Sequence, residues 1–265
     1  MVHLEECLTH STPVWVLTNQ LPKKSLFRKK EKPQEYFLKQ FNPAELIGEE
    51  LCRIKNIRCA HYFIAGIGPY NLKAPVWYEY AQKYCSVFRI ASKNFHEPDC
   101  TYKSAVQYGF SQDDPELFEK ILTVAKDEEN KKQLCMDMLQ MLALDIYMGQ
   151  TDRYAFNYEF EEDPSHRVRL APLFDFQYSV DPQWLNEGDI CFGDLYSFKT
   201  IEDCKEFIRK YPVFRDILSS YLGVDLEYVV RDAFSRRNMK MPEKKFKYYR
   251  QFDQDRKDMI HRIVD

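Results

Sequence analysis

Three oxygen-bearing side chains near the middle of the chain have the spacing of a phosphoryl-transfer site. Asp152 lies in Met148-Gly149-Gln150-Thr151-Asp152-Arg153-Tyr154-Ala155-Phe156-Asn157, and Asn157 follows it five residues later. A further carboxylate, Asp175, closes the apolar run Leu170-Ala171-Pro172-Leu173-Phe174. This arrangement lets one Asp orient or deprotonate an attacking hydroxyl. The Asn and the second Asp then supply oxygen ligands to cations that bridge nucleotide phosphates. A bare D-x-x-x-x-N is weak on its own, because Asp and Asn are common in turns. Context strengthens it: an apolar helix pattern over 130–148 leads in, and strand patterns over 157–160 and 168–175 lead out as a hairpin.

The same chemistry needs a cation for the phosphates, and Lys39 is the candidate. It lies in Glu35-Tyr36-Phe37-Leu38-Lys39-Gln40-Phe41, which reads as a strand; Pro13-Val14-Trp15-Val16-Leu17-Thr18 reads as another. A strand lysine can also snorkel from a sheet surface. Asn42-Pro43 stops the strand, and a helix is expected from Ala44 to about Lys55, with Leu46, Ile47, Leu51 and Ile54 at helical spacing. Glu45 opens that helix. It either complements the helix dipole or pairs with Lys39 to orient it. Glu49, one turn on, and Glu50 compete for that role.

Strands are expected at 59–67 and 86–91, with an irregular excursion over 68–84 that carries Pro69, Pro75 and many aromatics. Asp114-Pro115-Glu116 has the cap, proline and early acid of a helix start. Helices are expected at 202–210, 213–221, 225–238 and 243–263, with Pro212, Gly223 and Pro242 as breakers. Strands with one helix, then mainly helices, imply an α+β chain of two lobes: a nucleotide-binding N-lobe over 1–95 and a helical C-lobe with the catalytic loop over 96–265. Asp145, on the lead-in helix, is read as structural. Arg153 is read equally as neutralising the nearby carboxylates or as tying the loop to the helical lobe.

Composition narrows the partners. A formal net charge of −3 points to neither nucleic acid nor an anionic membrane. No apolar run is long enough to span a bilayer, and the N-terminus lacks a signal-peptide pattern, so a cytoplasmic location is expected. The eight cysteines form no C-x-x-C pair, which argues against structural zinc and for reduced thiols. The basic run over 23–32 reads as a solvated hairpin loop, with an acidic partner as the alternative. Glycine is scarce and none precedes Gly48, so no glycine-rich phosphate loop exists there. Any cradle near the N-terminus must come from Thr9-His10-Ser11-Thr12.

These residues resemble a known family, the HipA-like kinases, bacterial serine/threonine kinases whose fold is related to phosphoinositide kinases. The resemblance covers roughly residues 9–180 and is to the compact members. Thr12-Pro13-Val14-Trp15-Val16, Tyr36-Phe37-Leu38-Lys39 and Ala44-Glu45-Leu46-Ile47-Gly48 are similar to the family's N-lobe pattern. Ala44 stands where the family usually has Asn, which favours Glu45 over Glu49 as the partner of Lys39. Gly149-Gln150-Thr151-Asp152 is similar to the family's Gly-Asn-x-Asp, with Gln150 in place of Asn. Ser92-Lys93 resembles the segment that passes the adenine. The resemblance implies a two-lobed protein-kinase-like fold, ATP phosphates on Lys39, cofactor contacts from Ser11, Thr12 and Ser92, Asp152 as base, and Mg²⁺ on Asn157 and Asp175. It also implies autophosphorylation at Ser11 or Thr12, and leaves room for an antitoxin-like or regulatory partner.

The reading that follows is an ATP-dependent kinase acting on a hydroxyl, foremost a serine or threonine of a protein. Asp152-Arg153-x-x-x-Asn157 also resembles the phosphoinositide-kinase loop, which keeps a lipid or small-molecule kinase as the alternative enzyme. Gln150 and the missing glycine loop keep a nucleotide-binding pseudokinase as the non-enzyme alternative.

Overall fold

The computed structural model describes residues 2–7, 14–19, 34–66, 76–77, 88–110, 114, 116–180, 190–193 and 196–265. The expected roles of Ser11 and Thr12, the basic run over 23–32 and most of the 68–84 excursion fall outside these residues.

An antiparallel sheet forms the N-terminal part. Its strands are β1 (Val2–Cys7), β2 (Val14–Asn19), β3 (Gln34–Gln40), β4 (Tyr62–Gly66) and β6 (Phe88–Lys93), in the order β1-β2-β3-β6-β4. In this register Lys39 faces Ile90, Phe37 faces Ser92, and Tyr62 also faces Ser92. Directly paired residues share a sheet face. Phe37, Lys39, Tyr62 and Ser92 therefore line one surface.

Helix α1 (Pro43–Lys55) joins β3 to β4. The Asn42 side chain accepts the Ala44 N–H at 2.9 Å, Pro43 needs no N–H in the first turn, and Asn56 ends the helix in a left-handed conformation. Its buried face includes Glu45, Gly48 and Glu50 as well as Leu46, Ile47 and Leu51. Carboxylates on a buried face must have partners.

The C-terminal part is built on α3 (Glu128–Met148), which Asp127 caps and Gly149 ends at φ 63. Its last turns are buried almost all round, because neighbours surround it. The short α2 (Leu117–Leu122) precedes it; the Asp114 carboxylate accepts the Glu116 N–H at 2.9 Å, but no side chain caps the helix itself. A three-stranded sheet, β7 (Thr101–Lys103), β8 (Phe160–Glu162) and β9 (Val168–Leu170), lies beside α3. The hairpin β10 (Cys191–Gly193) and β11 (Tyr196–Phe198) follows, then α4 (Ile201–Lys210), α5 (Val213–Ser219), α6 (Leu226–Ser235) and α7 (Glu243–Val264). Before α7, β12 (Met239–Lys240) pairs in parallel with β5 (Val76–Trp77). One apolar cluster runs from Leu46 and Ile47 on α1 through α3 to Ile260 and Ile263 on α7.

Two expected strands differ from those observed. The strand expected over 157–160 begins only at Phe160, because the Asn157 side chain turns back onto Asp152 and closes the loop. The strand expected to run to Asp175 ends at Leu170. Pro172 has no N–H for a ladder, and Leu173 instead makes an isolated parallel bridge with Cys59. Asp175 itself is left-handed, at φ 61, which no strand residue adopts. The helix expected over 225–238 stops at Ser235, and Asn238 turns the chain at φ 52 into β12.

Candidate active site

Lys39 and Glu45, from consecutive elements, meet Asp175, which is distant in sequence. The Lys39 ammonium lies 2.8 Å from an Asp175 carboxylate oxygen and 3.2 Å from Glu45 Oε1. Burial opposes the charge of Lys39, but Glu45 and Asp175 outweigh it and hold the ammonium above its ordinary range. Glu45 is fully buried and uses its other oxygen, Oε2, to accept the Phe176 N–H at 3.1 Å. One carboxylate thus ties α1 to β3 and to the residue after Asp175. Glu49 and Glu50 are occupied elsewhere: Glu49 takes the Tyr62 N–H and Arg237, and Glu50 takes Arg53.

Gly48 makes this approach possible. A β-carbon there would lie 2.4 Å from the Phe176 ring. The helix therefore rests directly on the residue after Asp175.

The catalytic-loop candidates fold onto one another. Asn157 Nδ2 donates to the Asp152 carbonyl at 2.6 Å and to Asp152 Oδ2 at 3.0 Å. Its amide nitrogen is used in this way, which leaves the amide oxygen for a cation. Burial and the neighbouring Asp175 charge push the Asp152 carboxyl up to about 6; the Asn157 hydrogen bond, Arg153 and Lys39 only partly offset them. A carboxylate there is costly until a positive charge arrives. Asp152, Asn157 and Asp175 are hard oxygen donors grouped where negative charge is in excess, and they fit a Mg²⁺ ion accompanied by phosphate oxygens.

Arg153 resolves into the structural role. Its guanidinium is fully buried and bidentate on Asp145, at 3.0 and 3.1 Å. Its remaining nitrogen donates to the carbonyls of Asn157 and Phe174, both at 2.7 Å. The loop and the Asp175 segment therefore hang from α3 through one side chain, and Asp145 is its anchor. Gln150 is also buried. It donates to the Asp175 carbonyl at 2.9 Å and accepts the Thr151 N–H at 3.1 Å.

An apolar cavity of about 520 Å³ opens beside these groups. Phe37, Phe95, Phe156 and Phe174 line it, together with Lys39 and Asp175. Ser92 is buried and lines it, so this expected contact does reach the cleft. His96 and Glu159, 2.8 Å apart, lie along another wall, with His96 stacked on Tyr102. An apolar cavity lined by aromatic rings, with a cation and a carboxylate among its walls, suits a nucleotide base with its phosphates.

Lys39, Ser92 and Asp175 line this cavity, Glu45 is paired with Lys39, and Asp152, bonded to Asn157, lies within electrostatic reach of Asp175 and Lys39, whereas Ser11 and Thr12 lie outside the described residues. Sequence reasoning missed Phe37, Tyr62, His96, Phe156 and Glu159. Phe37 was findable, because it sits two residues from Lys39 and so on its face. Tyr62, His96 and Glu159 come into place only through sheet register and loop packing. Glu97, Cys100 and Glu161 also lie close enough to hold a metal, but both Glu161 oxygens are taken by Arg58 and Arg169.

Comparison with known proteins gives the fold a precedent. No family model matches the sequence, and no curated protein sequence matches it. Solved structures do match. HipA of Shewanella oneidensis MR-1, from a toxin–antitoxin complex with HipB and operator DNA, superposes over 93% of this chain with a TM-score of 0.55 and 13% identity. The chain spans 66% of the length of that protein, just under two thirds. The Helicobacter pylori proinflammatory kinase CtkA superposes over 95% of this chain and 92% of its own, with a TM-score of 0.52 and 12% identity. At such identities the likeness speaks for the backbone alone. The chain has the two-lobed, HipA-like kinase fold.

Proposed function

We propose that this protein is an ATP-dependent kinase that transfers the γ-phosphoryl group to a hydroxyl, foremost a serine or threonine of a protein. The observation that carries the reading is the convergence of Lys39, Glu45 and Asp175 into one ion-paired group beside Asp152 and Asn157. Burying charged groups is costly unless function or pairing repays it.

In this reading the adenine enters the phenylalanine-walled slot past Ser92, and the Lys39 ammonium holds phosphate oxygens. Glu45 keeps Lys39 aimed into the cleft. Asn157 and Asp175 would hold Mg²⁺, which when bound neutralises charge on the transferring phosphate. Asp152 orients the acceptor hydroxyl and takes its proton, a role suited to a carboxyl with an elevated pKa. Most of the rate enhancement then comes from positioning and electrostatics. Because HipA was solved together with HipB, an antitoxin-like partner is part of the proposal. Among the described residues no helix is long and apolar enough to cross a membrane, and the proposed site is cytoplasmic.

The test is incubation of purified protein with labelled ATP, Mg²⁺ and a protein mixture, beside Asp152→Ala and Asp175→Ala. Transfer to serine or threonine by the wild type, lost in both variants, is the expected result. Equal transfer by all three proteins would rule the mechanism out. Label appearing only on lipid or a small molecule would move the acceptor to the alternative class. Nucleotide binding with no transfer would favour a pseudokinase.

A further inference from the structure

Tyr62 stands where the Asp175 loop, the Lys39–Glu45 pair and a second cavity meet. Its ring is 5% exposed and lies on the cleft face of β4. Its hydroxyl accepts the Asp175 backbone N–H at 3.3 Å. The backbone of Tyr62 is fixed from the opposite side. Its N–H donates to Glu49 Oε2 at 2.9 Å, and its carbonyl accepts Arg237 Nε at 3.3 Å. Arg237 in turn pairs with Glu49. Beyond the ring lies a cavity of about 520 Å³ bounded by Glu49, Phe63, Arg237 and Asn238. Tyr62 lines that cavity as well as the cleft.

Asp175 needs such a support. It sits at φ 61, a left-handed conformation that side-chain-bearing residues hold only when their surroundings enforce it. Gln150 holds its carbonyl and Lys39 its carboxylate, which leaves the N–H to Tyr62.

We propose that Tyr62 is a positioning residue for phosphoryl transfer: its phenol, accepting from the Asp175 N–H, sets the direction in which the Asp175 carboxylate meets a divalent cation. This rests on the kinase reading above. The apolar body of the ring packs in the core, and the hydroxyl alone does the aiming. Tyr62→Phe separates the two functions.

The experiment compares full-length wild type and Tyr62→Phe by three measurements. Hydrogen exchange at the Asp175 amide reads the hydrogen bond directly. Mn²⁺ binding, followed by electron paramagnetic resonance with an imido analogue of ATP, reads the cation site without turnover. A Mg²⁺ titration of phosphoryl transfer reads its consequence. Loss of one hydrogen bond predicts amide exchange, Mn²⁺ dissociation constant and half-saturating Mg²⁺ each rising about fivefold, with metal-free binding of the analogue unchanged. Unchanged amide exchange and Mn²⁺ affinity, in a wild type that transfers phosphate normally, would overturn the role of Tyr62 and leave the kinase reading standing. A uniform fall in all binding, in step with loss of folded protein, would show a merely structural residue and overturn it too. A wild type with neither Mn²⁺ binding nor transfer would remove the kinase reading, and this proposal with it.

Discussion

Asp152 carries the clearest trade between stability and function. Its carboxyl is pushed up to about 6 because it is half-buried and faces Asp175. Activity that depends on its charged form rises with pH, so kcat/KM for the free enzyme has an acid limb centred near 6. Asp152→Asn removes that limb and lowers turnover about a hundred- to ten-thousandfold. Stability runs the other way. The folded pKa lies above the unfolded value, so the native state binds this proton more tightly. Its stabilisation is complete below about pH 4 and is lost as pH rises through the folded pKa. Asp152→Asn therefore melts higher than wild type at neutral pH, with the difference vanishing in acid, as calorimetry across pH would show. Arg153 gives the opposite case, in which the charge is structural. Arg153→Met leaves Asp145 buried without its bidentate partner, at a cost of about 3–5 kcal/mol in urea unfolding. Replacing both, as Asp145→Leu with Arg153→Met, recovers much of that loss.

Helix α1 works as a lever because three of its features act together. Asn42 starts it, Glu45 reaches Lys39 and the Phe176 N–H, and Gly48 lets Phe176 press against its backbone. Gly48→Ala would normally favour a helix, but here the added methyl meets the Phe176 ring. Overpacking of this kind costs about 1–3 kcal/mol. The expected outcome is a lower melting temperature together with weaker nucleotide binding, since displacing α1 displaces Glu45. A substitution that only restored helix propensity would raise stability, so the sign of the change decides. This helix was legible because its signals are local: a capping Asn, a proline in the first turn and apolar residues at helical spacing. The strand expected to run into Asp175 was misjudged for the converse reason. The apolar run Leu170-Ala171-Pro172-Leu173-Phe174 has strand composition, but its partners are Arg58 and Ala60 rather than a continuous ladder. Nothing near it in sequence reveals that.

Across the whole molecule, the C-terminal helix holds the end of α3, and with it the proposed catalytic loop, from behind. Arg256 on α7 is buried and donates to the Ile146 carbonyl, in the last turn of α3, and to the Ile190 carbonyl at 2.6 Å. Asp253 accepts the Tyr147 hydroxyl at 2.6 Å, and Tyr248 donates to the Val180 carbonyl at 2.9 Å. Deleting residues 243–265 would remove Phe246, Phe252 and Ile260 and uncover the part of the apolar cluster they pack against, α3 included. Near-UV circular dichroism and thermal unfolding of the truncated chain should show no cooperative transition. If the proposed site binds it, MgATP at a hundred times its dissociation constant would stabilise the native state by about 2.7 kcal/mol. A melting temperature raised by MgATP in wild type, and unmoved in Lys39→Met, is the expected calorimetric result.

The sequence by itself determined the α+β order of elements, the position of α1 and α3, and the identity of Lys39, Glu45, Asp152, Asn157 and Asp175 as candidates. Those features rest on local periodicity, caps and short spacings, or on residues whose chemistry limits where they can sit. Tertiary structure alone decided which candidates meet. It paired Lys39 with Glu45, which the family resemblance already favoured over Glu49, and gave Glu49 and Glu50 to Arg237 and Arg53. It assigned Arg153 to Asp145 and set Asp175 in a left-handed turn. It also brought Tyr62 from β4 against the Asp175 N–H. Such contacts join residues far apart in the chain, and they are fixed by sheet register and by the need to pair every buried charge and amide.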